Sequence, residues 1–215
     1  MTMPPDVIAV CVCIRYSDYL AETLPHNRPL FRSFYIITEA SDTKTVELAT
    51  AHDCTIIYTT KTHENGAAFN FSGMMFDAQT SIHPRHPDSW IVKLDADIYV
   101  PDTIWADIHV QSLNKNGVYG LIRHVYNTID DYKRGIVSCI DKGDVGVVGY
   151  FQLYWNKRKY YPKWSRNCSN CDLVFMRDFP IQQTFPIVCF HFGEKRKNWN
   201  GRSTEAWLSA CVEKI

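Results

Sequence analysis

Trp90-Ile-Val-Lys-Leu-Asp-Ala-Asp-Ile-Tyr-Val-Pro101 is the stretch on which the reading of this chain turns. Trp90 to Leu94 is a short, mostly apolar run, the mark of a strand buried on both faces. It ends in two carboxylates, Asp95 and Asp97, and then continues as a short extended segment. In an extended chain, residues i and i+2 point to the same side, so the pair would face one partner. Carboxylates are costly to desolvate unless a cation or donors compensate. Hard oxygen ligands at a strand end suit Mg²⁺ or Mn²⁺, which keep other positions for substrate phosphates. One carboxylate would then hold the metal while the other reaches a water or a ribose. The plain alternative is an Asp-rich turn, since Asp is common in turns.

Working outward, Ile8-Ala-Val-Cys-Val-Cys-Ile14 reads as a first buried strand. Ser17 offers an N-cap to a helix with Leu20 and Leu24 on one stripe, and Pro25 is expected to end it. Ser33 to Thr38 is a second strand. Ser41 is expected to cap a helix reaching about His52, with Val46 and Ala49 inward. Cys54 to Thr59 is a third strand, and Ala67 to Gln79 has the composition of a helix packed on the sheet. Two prolines make Ser81 to Asp88 a loop before the Trp90 strand. Asp102 then caps a helix carrying Ile104, Trp105 and Ile108.

This alternation of strand and helix predicts an α/β fold with a mainly parallel central sheet and helices on both faces. Right-handed crossovers place the strand C-terminal ends on one edge, where ligands bind. Residues 1–101 form a nucleotide-binding half. Residues 102–215 are less regular, with strands expected at Val118–Arg123, Val145–Trp155 and Pro186–His191, and a last helix from Ser203 to about Cys211. No linker rich in Gly, Ser or Pro interrupts the chain, so 1–215 is read as one domain.

The composition narrows the function classes. In 215 residues, 46% hydrophobic and 21% charged content excludes disorder as the dominant state. No apolar run approaches the ~18 residues of a membrane span. The opening residues lack the basic and apolar segments of a secretory signal. The eight cysteines include Cys11, Cys13 and Cys54 within apolar runs, where thiols behave as small hydrophobes. A reducing compartment is therefore expected, the cytoplasm of a bacterial or virus-infected cell. Residues 1–150 carry 12 Lys+Arg against 18 Asp+Glu, and residues 151–215 carry 11 against 5. The net charge of zero argues against a dedicated nucleic-acid binder, while the basic C-terminal part would suit an anionic, phosphate-bearing ligand.

The order of motifs resembles that of the DxD glycosyltransferases of the GT-A fold, including small viral and bacterial members such as those that decorate viral capsids. The resemblance runs from about Val7 to Arg202. Ile91-Val-Lys-Leu-Asp-Ala-Asp-Ile98 resembles the DxD strand, and Gly149-Tyr-Phe-Gln-Leu153 a segment of the small members. Asp172-Leu-Val-Phe175 stands where an acidic residue often opens a helix. His191-Phe-Gly193 and Asn198-Trp-Asn-Gly-Arg202 resemble the late His-x-Gly and NWxGR-like ending.

The resemblance implies transfer of a sugar from a nucleoside-diphosphate sugar, a UDP-sugar by the same likeness, with Mn²⁺ or Mg²⁺. The acceptor would be a glycan, a glycoprotein or, less favoured, a nucleic acid. Asp97 would hold the metal, Asp95 would contact the ribose or a metal-bound water, and His191 would complete the metal site or touch the diphosphate. Thr38 and Asp42 would stand by the uridine or ribose, Asn70 would face the donor, and Arg15 would lie on the same edge. Asp172 is the candidate for work at the sugar carbon, as base or as stabiliser of an oxocarbenium-like transition state. Arg202 is the favoured counter-charge for the diphosphate, because its planar fork suits phosphate.

Each residue also has a plainer reading. Asp42 is well placed to complement a helix dipole, Asp172 to cap a helix, and His191 to be a satisfied strand-end histidine. Lys195, Arg196 and Lys197 are a charge run of the kind that is usually solvated. Cys168, Cys171, Cys189 and His191 make a conceivable but atypical zinc set. Asn167-Cys-Ser-Asn-Cys171 replaces the Gly-rich stretch that related enzymes often carry before the acidic residue. The aromatics Tyr150, Phe151, Tyr154, Trp155, Tyr160, Tyr161 and Trp164 suit sugar stacking or an ordinary core. Two other functions stay open: a nucleotidyltransferase, against which the glycine-free Cys13-Ile-Arg-Tyr-Ser-Asp18 counts, and a non-catalytic carbohydrate-binding module.

Overall fold

Strand β1 (Val7–Val12) is buried along its whole length. Its residues alternate between two cores, with Val7, Ala9 and Cys11 in one and Ile8, Val10 and Val12 in the other. That double burial is why the run is apolar throughout. The computed structural model describes residues 6–141, 147–157, 159–193 and 201–202. β1 pairs in parallel with β2 (Ser33–Thr38) on one side and β4 (Trp90–Leu94) on the other, and β2 with β3 (Thr55–Tyr58).

The helices α1 (Ser17–Asn27), α2 (Thr43–Ala51) and α4 (Ile104–Asp107) cover the first core through Leu20, Leu24, Ala49 and Ile104. α3 (Phe71–Ile82) and α6 (Cys171–Met176) cover the second through Met74, Met75, Ala78, Ile82 and Phe175. Among the described residues, no helix is long and apolar enough to cross a membrane.

Past β4 the sheet is mixed. It runs β3-β2-β1-β4-β8-β6-β9-β5, with β5 (Ile98–Tyr99), β6 (Gly117–Tyr126), β8 (Phe151–Trp155) and β9 (Ile181–Phe192). β8 is antiparallel to both β4 and β6, β9 is parallel to β6, and β5 is antiparallel to β9. β7 (Cys139–Asp141) adds to β6 beyond a short helix α5 (Ile129–Lys133). The α/β architecture, with a parallel first half and a mixed second half, is the one expected. β4 and β5 are joined only by the turn through Asp95 and Asp97, although β8, β6 and β9 lie between them in the sheet. The sheet therefore curls back on itself, and the two acids sit where it closes.

Several local expectations are corrected. Tyr16, not Ser17, is the α1 N-cap, and Pro25 lies inside the helix. The last turn survives the proline because tertiary bonds hold it. Asn27 donates to Ile98 O at 2.7 Å and accepts from Val100 N at 3.0 Å, while His26 stacks on Tyr99 with ring centroids 3.7 Å apart. α2 is capped by Asp42 rather than Ser41, and Thr103 rather than Asp102 holds the N-cap position of α4, without a side-chain cap bond. Val46 is only half-buried, and Thr45 takes the inward place. α3 begins at Phe71, capped by Asn70. β8 begins at Phe151, the expected start at Val145 lying outside the described residues, and β9 starts well before Pro186. The register skips from Leu121↔Phe185 to Ile122↔Val188, which puts Pro186 in a bulge where its missing N–H breaks no ladder. The helix expected from Ser203 lies outside the described residues.

Candidate active site

The segment after β4 is a turn and not an extended strand. Ile98 N–H donates to Asp95 O at 3.3 Å, and Ala96 and Asp97 occupy the turn. The acids consequently do not face one partner, and each has its own. Asp95 is paired with Lys93, whose ammonium also donates to Gly149 O. Lys93 is 3% exposed and lies 4.7 Å from the centroid of the Phe71 ring. Burial pulls this ammonium down, but Asp95 outweighs that and holds it above its ordinary value.

Asp97 is buried, and its Oδ2 stands 3.2 Å from His191 Nε2. The register Ile98↔His191 and the Phe192 N–H bond to Asp97 O at 2.9 Å bring the two together. Burial pushes the Asp97 carboxyl up, and His191 beside it overcomes this and holds it below its ordinary value. The buried Nδ1 of His191 has no hydrogen-bond partner among the described residues.

Among the described residues, no three His, Cys, Asp or Glu side chains gather as a metal cluster. Asp95, Asp97 and His191 are thus split between two contacts, Lys93–Asp95 on one side and Asp97–His191 on the other. The pair that remains suits a hard divalent cation. Two ligands bound at about 2.1 Å on a cis octahedral edge stand roughly 3.0 Å apart, close to the separation found here. Such cations are often held by one or two protein groups, with substrate phosphates and water completing the shell.

Asp172 belongs to the first turn of α6, which is entered through Asn170 at φ 63 with no side-chain cap bond. It does not cap the helix, and its Oδ2 instead accepts from Gly149 N–H at 2.6 Å. Gly149 thus links Lys93, through its carbonyl, to Asp172, through its N–H. A Cβ on Gly149 would lie 2.6 Å from Asp172 Cβ, so only glycine admits this approach.

Thr38 and Asp42 meet on the same edge, but Asp42 is occupied. It accepts from Arg15 N–H at 2.5 Å, Thr45 Oγ1 at 2.8 Å, Thr38 Oγ1 at 3.4 Å and Thr45 N–H at 3.4 Å. Asp42 ties the loop after β1, the end of β2 and the start of α2 together. Arg15 itself has φ 62 in that loop. Asn70 is likewise engaged, accepting from Gly73 and Ser165 N–H groups and donating to Glu64 at 3.3 Å. Arg202 reaches the β1 loop, donating to Asp18 at 2.5 Å and lying 4.3 Å from the Tyr16 ring centroid and 4.7 Å from that of Tyr19. Gly201 before it has φ +68, and a Cβ there would stand 2.5 Å from the Phe69 ring.

Lys195, Arg196, Lys197 and the 198–200 part of the late motif lie outside the described residues. Cys171 Sγ donates to Cys168 O at 3.2 Å. Of the noted aromatics, Tyr150, Phe151, Tyr154 and Tyr161 are core, whereas Trp164 is exposed. The nearby lysines lie on rings, Lys115 on Trp155 at 3.7 Å and Lys159 on Phe179 at 4.7 Å. Lys93, which pairs with Asp95, is the residue of this corner that the sequence reading missed. The only signal for Lys93 was a cation inside an apolar strand, which calls for a buried partner.

No family model matches this sequence, and no match is found among curated proteins. Solved structures share the fold. The mannosyltransferase PcManGT from Pyrobaculum calidifontis, in complex with GDP-Man and Mn²⁺, superposes with a TM-score of 0.56 at 15% identity, over 91% of this chain and 59% of that one. This chain thus spans about three fifths of that enzyme's length. A 4-diphosphocytidyl-2C-methyl-D-erythritol synthase gives 0.52 at 12% identity, over 97% of this chain and 99% of that one. The inositol-1-phosphate CTP transferase from T. maritima gives 0.50 at 7% identity, over 87% and 89%. The likeness is one of fold, a GT-A-like arrangement found in both glycosyl- and nucleotidyltransferases.

Proposed function

We propose that this chain is a glycosyltransferase that moves a hexosyl or pentosyl group from a nucleoside-diphosphate sugar, a UDP-sugar in the first instance, to an acceptor hydroxyl on a glycan or protein. The observation that carries this reading is the Asp97–His191 contact, 3.2 Å long, at the turn that closes the sheet beyond β4. Asp97 and His191 would hold Mn²⁺ or Mg²⁺, and Asp95 would face the ribose or a bound water while Lys93 neutralises it. When bound, the cation supplies positive charge to a departing diphosphate. Arg202 adds a planar cation on the β1 side of the same corner.

Asp172 is the carboxylate we assign to the sugar carbon or to the acceptor proton. Gly149 fixes its Oδ2, so it is held in place without a long search over rotamers. Thr38, Asp42 and Asn70 then shape the nucleotide side chiefly by holding its loops, since their own polar groups are spent within the protein, and Arg15 joins them through its main-chain N–H.

The experiment is calorimetric titration of UDP with and without Mn²⁺. Wild type should bind only with the metal. Asp97→Asn should lose at least tenfold in Mn²⁺-dependent affinity, and Asp95→Asn distinctly less. Equal losses would place Asp95 in the metal shell and reject the split described above. Asp172→Asn should bind UDP as wild type does and turn over at least a hundredfold more slowly; full activity would remove its assignment.

A second reading, nucleotidyl transfer, is favoured by the end-to-end likeness to the diphosphocytidyl synthase, over 99% of that chain. Products separate the two: sugar transfer releases a nucleoside diphosphate, while nucleotidyl transfer from CTP or UTP releases pyrophosphate. A carbohydrate-binding module would bind sugar with no dependence on the metal.

A further inference from the structure

The Tyr16 side chain is 8% exposed, and its hydroxyl has no hydrogen-bond partner among the described residues. A buried O–H left without an acceptor is costly and is seldom kept without cause. Tyr16 stands in the loop that follows β1, the strand beside β4, and its ring lies against the Arg202 guanidinium, 4.3 Å from the centroid.

The ring is held there from several sides. Arg15 at φ 62 reverses the chain just before it, and Asp42 pins the Arg15 N–H. Tyr19 stacks beside it with ring centroids 6.5 Å apart, and Arg202 covers its face at 4.3 Å. Asp18 in turn holds Arg202. A rigid donor thus stands next to a guanidinium, and none of the described residues accepts its proton.

We propose that the Tyr16 hydroxyl donates a hydrogen bond to a phosphoryl oxygen of the bound nucleoside diphosphate, on the side flanked by Arg202. This rests on the nucleotide-binding reading of the site and adds to it a donor that the DxD pair does not supply. An anionic oxygen is the acceptor that fits, because it would satisfy the donor and lie against the guanidinium together. Tyr16 is then a binding residue whose loss is felt on the phosphate and not in the fold.

The test uses Tyr16→Phe, which keeps the ring under Arg202 and removes only the oxygen. Binding of UDP, GDP and CDP, each with Mn²⁺, and of inorganic pyrophosphate with Mn²⁺, is measured by calorimetry beside thermal unfolding. We expect affinity for the bound nucleotide and for pyrophosphate to fall about ten- to hundredfold, the range of a hydrogen bond to a charged group. The melting temperature should stay level or rise, since an unsatisfied buried hydroxyl is lost. Unchanged affinity overturns the proposal. So does a fall in melting temperature with no change in affinity, which would make the hydroxyl a structural bond. A loss for the nucleotide but none for pyrophosphate would place the contact on the nucleoside and overturn it as well. If wild type binds none of the four, the nucleotide reading itself fails, an outcome distinct from wild-type binding that Tyr16→Phe leaves intact.

Discussion

Lys93 and Asp95 differ in access to water, and that difference predicts an asymmetric pair of mutants. The Lys93 side chain is 4% exposed and that of Asp95 36%. In Lys93→Met, the apolar chain can keep its place against Phe71, and Asp95 and Gly149 O lose their donor. Asp95 can recover water through its exposed third, so the cost falls at the lower end for a broken buried pair, about 2–3 kcal/mol. In Asp95→Asn the buried ammonium remains and has no route to water, which puts the cost at about 3–5 kcal/mol. For a chain of this size, ~1 kcal/mol moves the melting temperature by roughly 2–4 °C. Lys93→Met should then melt about 4–12 °C lower, and Asp95→Asn lower still. The double mutant should cost less than the two singles together, by about 1–3 kcal/mol, because the second change removes a group already orphaned. Urea unfolding of the four proteins supplies the cycle. Additivity within about 0.5 kcal/mol, or an Asp95→Asn milder than Lys93→Met, would refute the pairing.

Gly149→Ala should place a Cβ against Asp172 Cβ, at 2.6 Å in the present geometry, and so move α6 or the strand start. We expect about 1–3 kcal/mol of destabilisation and a turnover loss like that of Asp172→Asn, read by unfolding and by nucleotide-sugar turnover. Asp42→Ala should cost about 2–3 kcal/mol, since it removes a helix cap and the acceptor of Arg15 N–H together, whereas Asp42→Asn, which still caps, should cost less. Burial pushes the Cys13 thiol up to about 12 and the Cys54 thiol to about 11. An unfolded thiol ionises near pH ~8.5, so above that pH the unfolded chain sheds protons that the folded chain keeps. Stability from these thiols is thus whole below about pH 8.5 and is lost as pH rises towards 11 or 12. Urea midpoints at pH 7.5 and 10 should show the fall, and Cys13→Ala with Cys54→Ala should blunt it; identical slopes would contradict the burial of these thiols.

What could be read in advance follows the depth of burial. β2 and β4 were legible to the residue, and β1 nearly so, because a strand covered on both faces is apolar at most positions, with the buried Lys93 of β4 the exception. β9 was legible only in its second half, Pro186 to His191; its first half was not, since Gln182 and Gln183 are exposed and Pro186 interrupts the run, and pairing with β6 makes it strand. The cap of α2 was missed by one residue. Ser41 and Asp42 are both good caps, and the choice falls to Asp42 because it alone also holds the Arg15 N–H across 27 residues of sequence. The acids at 95 and 97 were found, but not their geometry. An extended run predicts one shared face, whereas the chain has to turn there so that Ile98 can reach His191 on β9.

The same turn explains why one corner tolerates three carboxylates. Asp95, Asp97 and Asp172 would repel one another if left bare, which would raise the cost of ionising any of them. Each has a different counter-group: an ammonium for Asp95, an imidazole for Asp97 and a backbone N–H for Asp172. These partners are not equally replaceable. Lys93 is a full charge fixed on a buried strand, and leaving Asp95 would strand that charge away from water. Gly149 N–H is part of the chain. His191 alone can give way to a cation and still bind that cation through the nitrogen now facing Asp97, because an imidazole nitrogen serves as well as a ligand as it does as a hydrogen-bond partner. On the proposed reading, a divalent ion entering this corner would therefore be directed to the Asp97–His191 edge, and Lys93 would reserve Asp95 for a different contact.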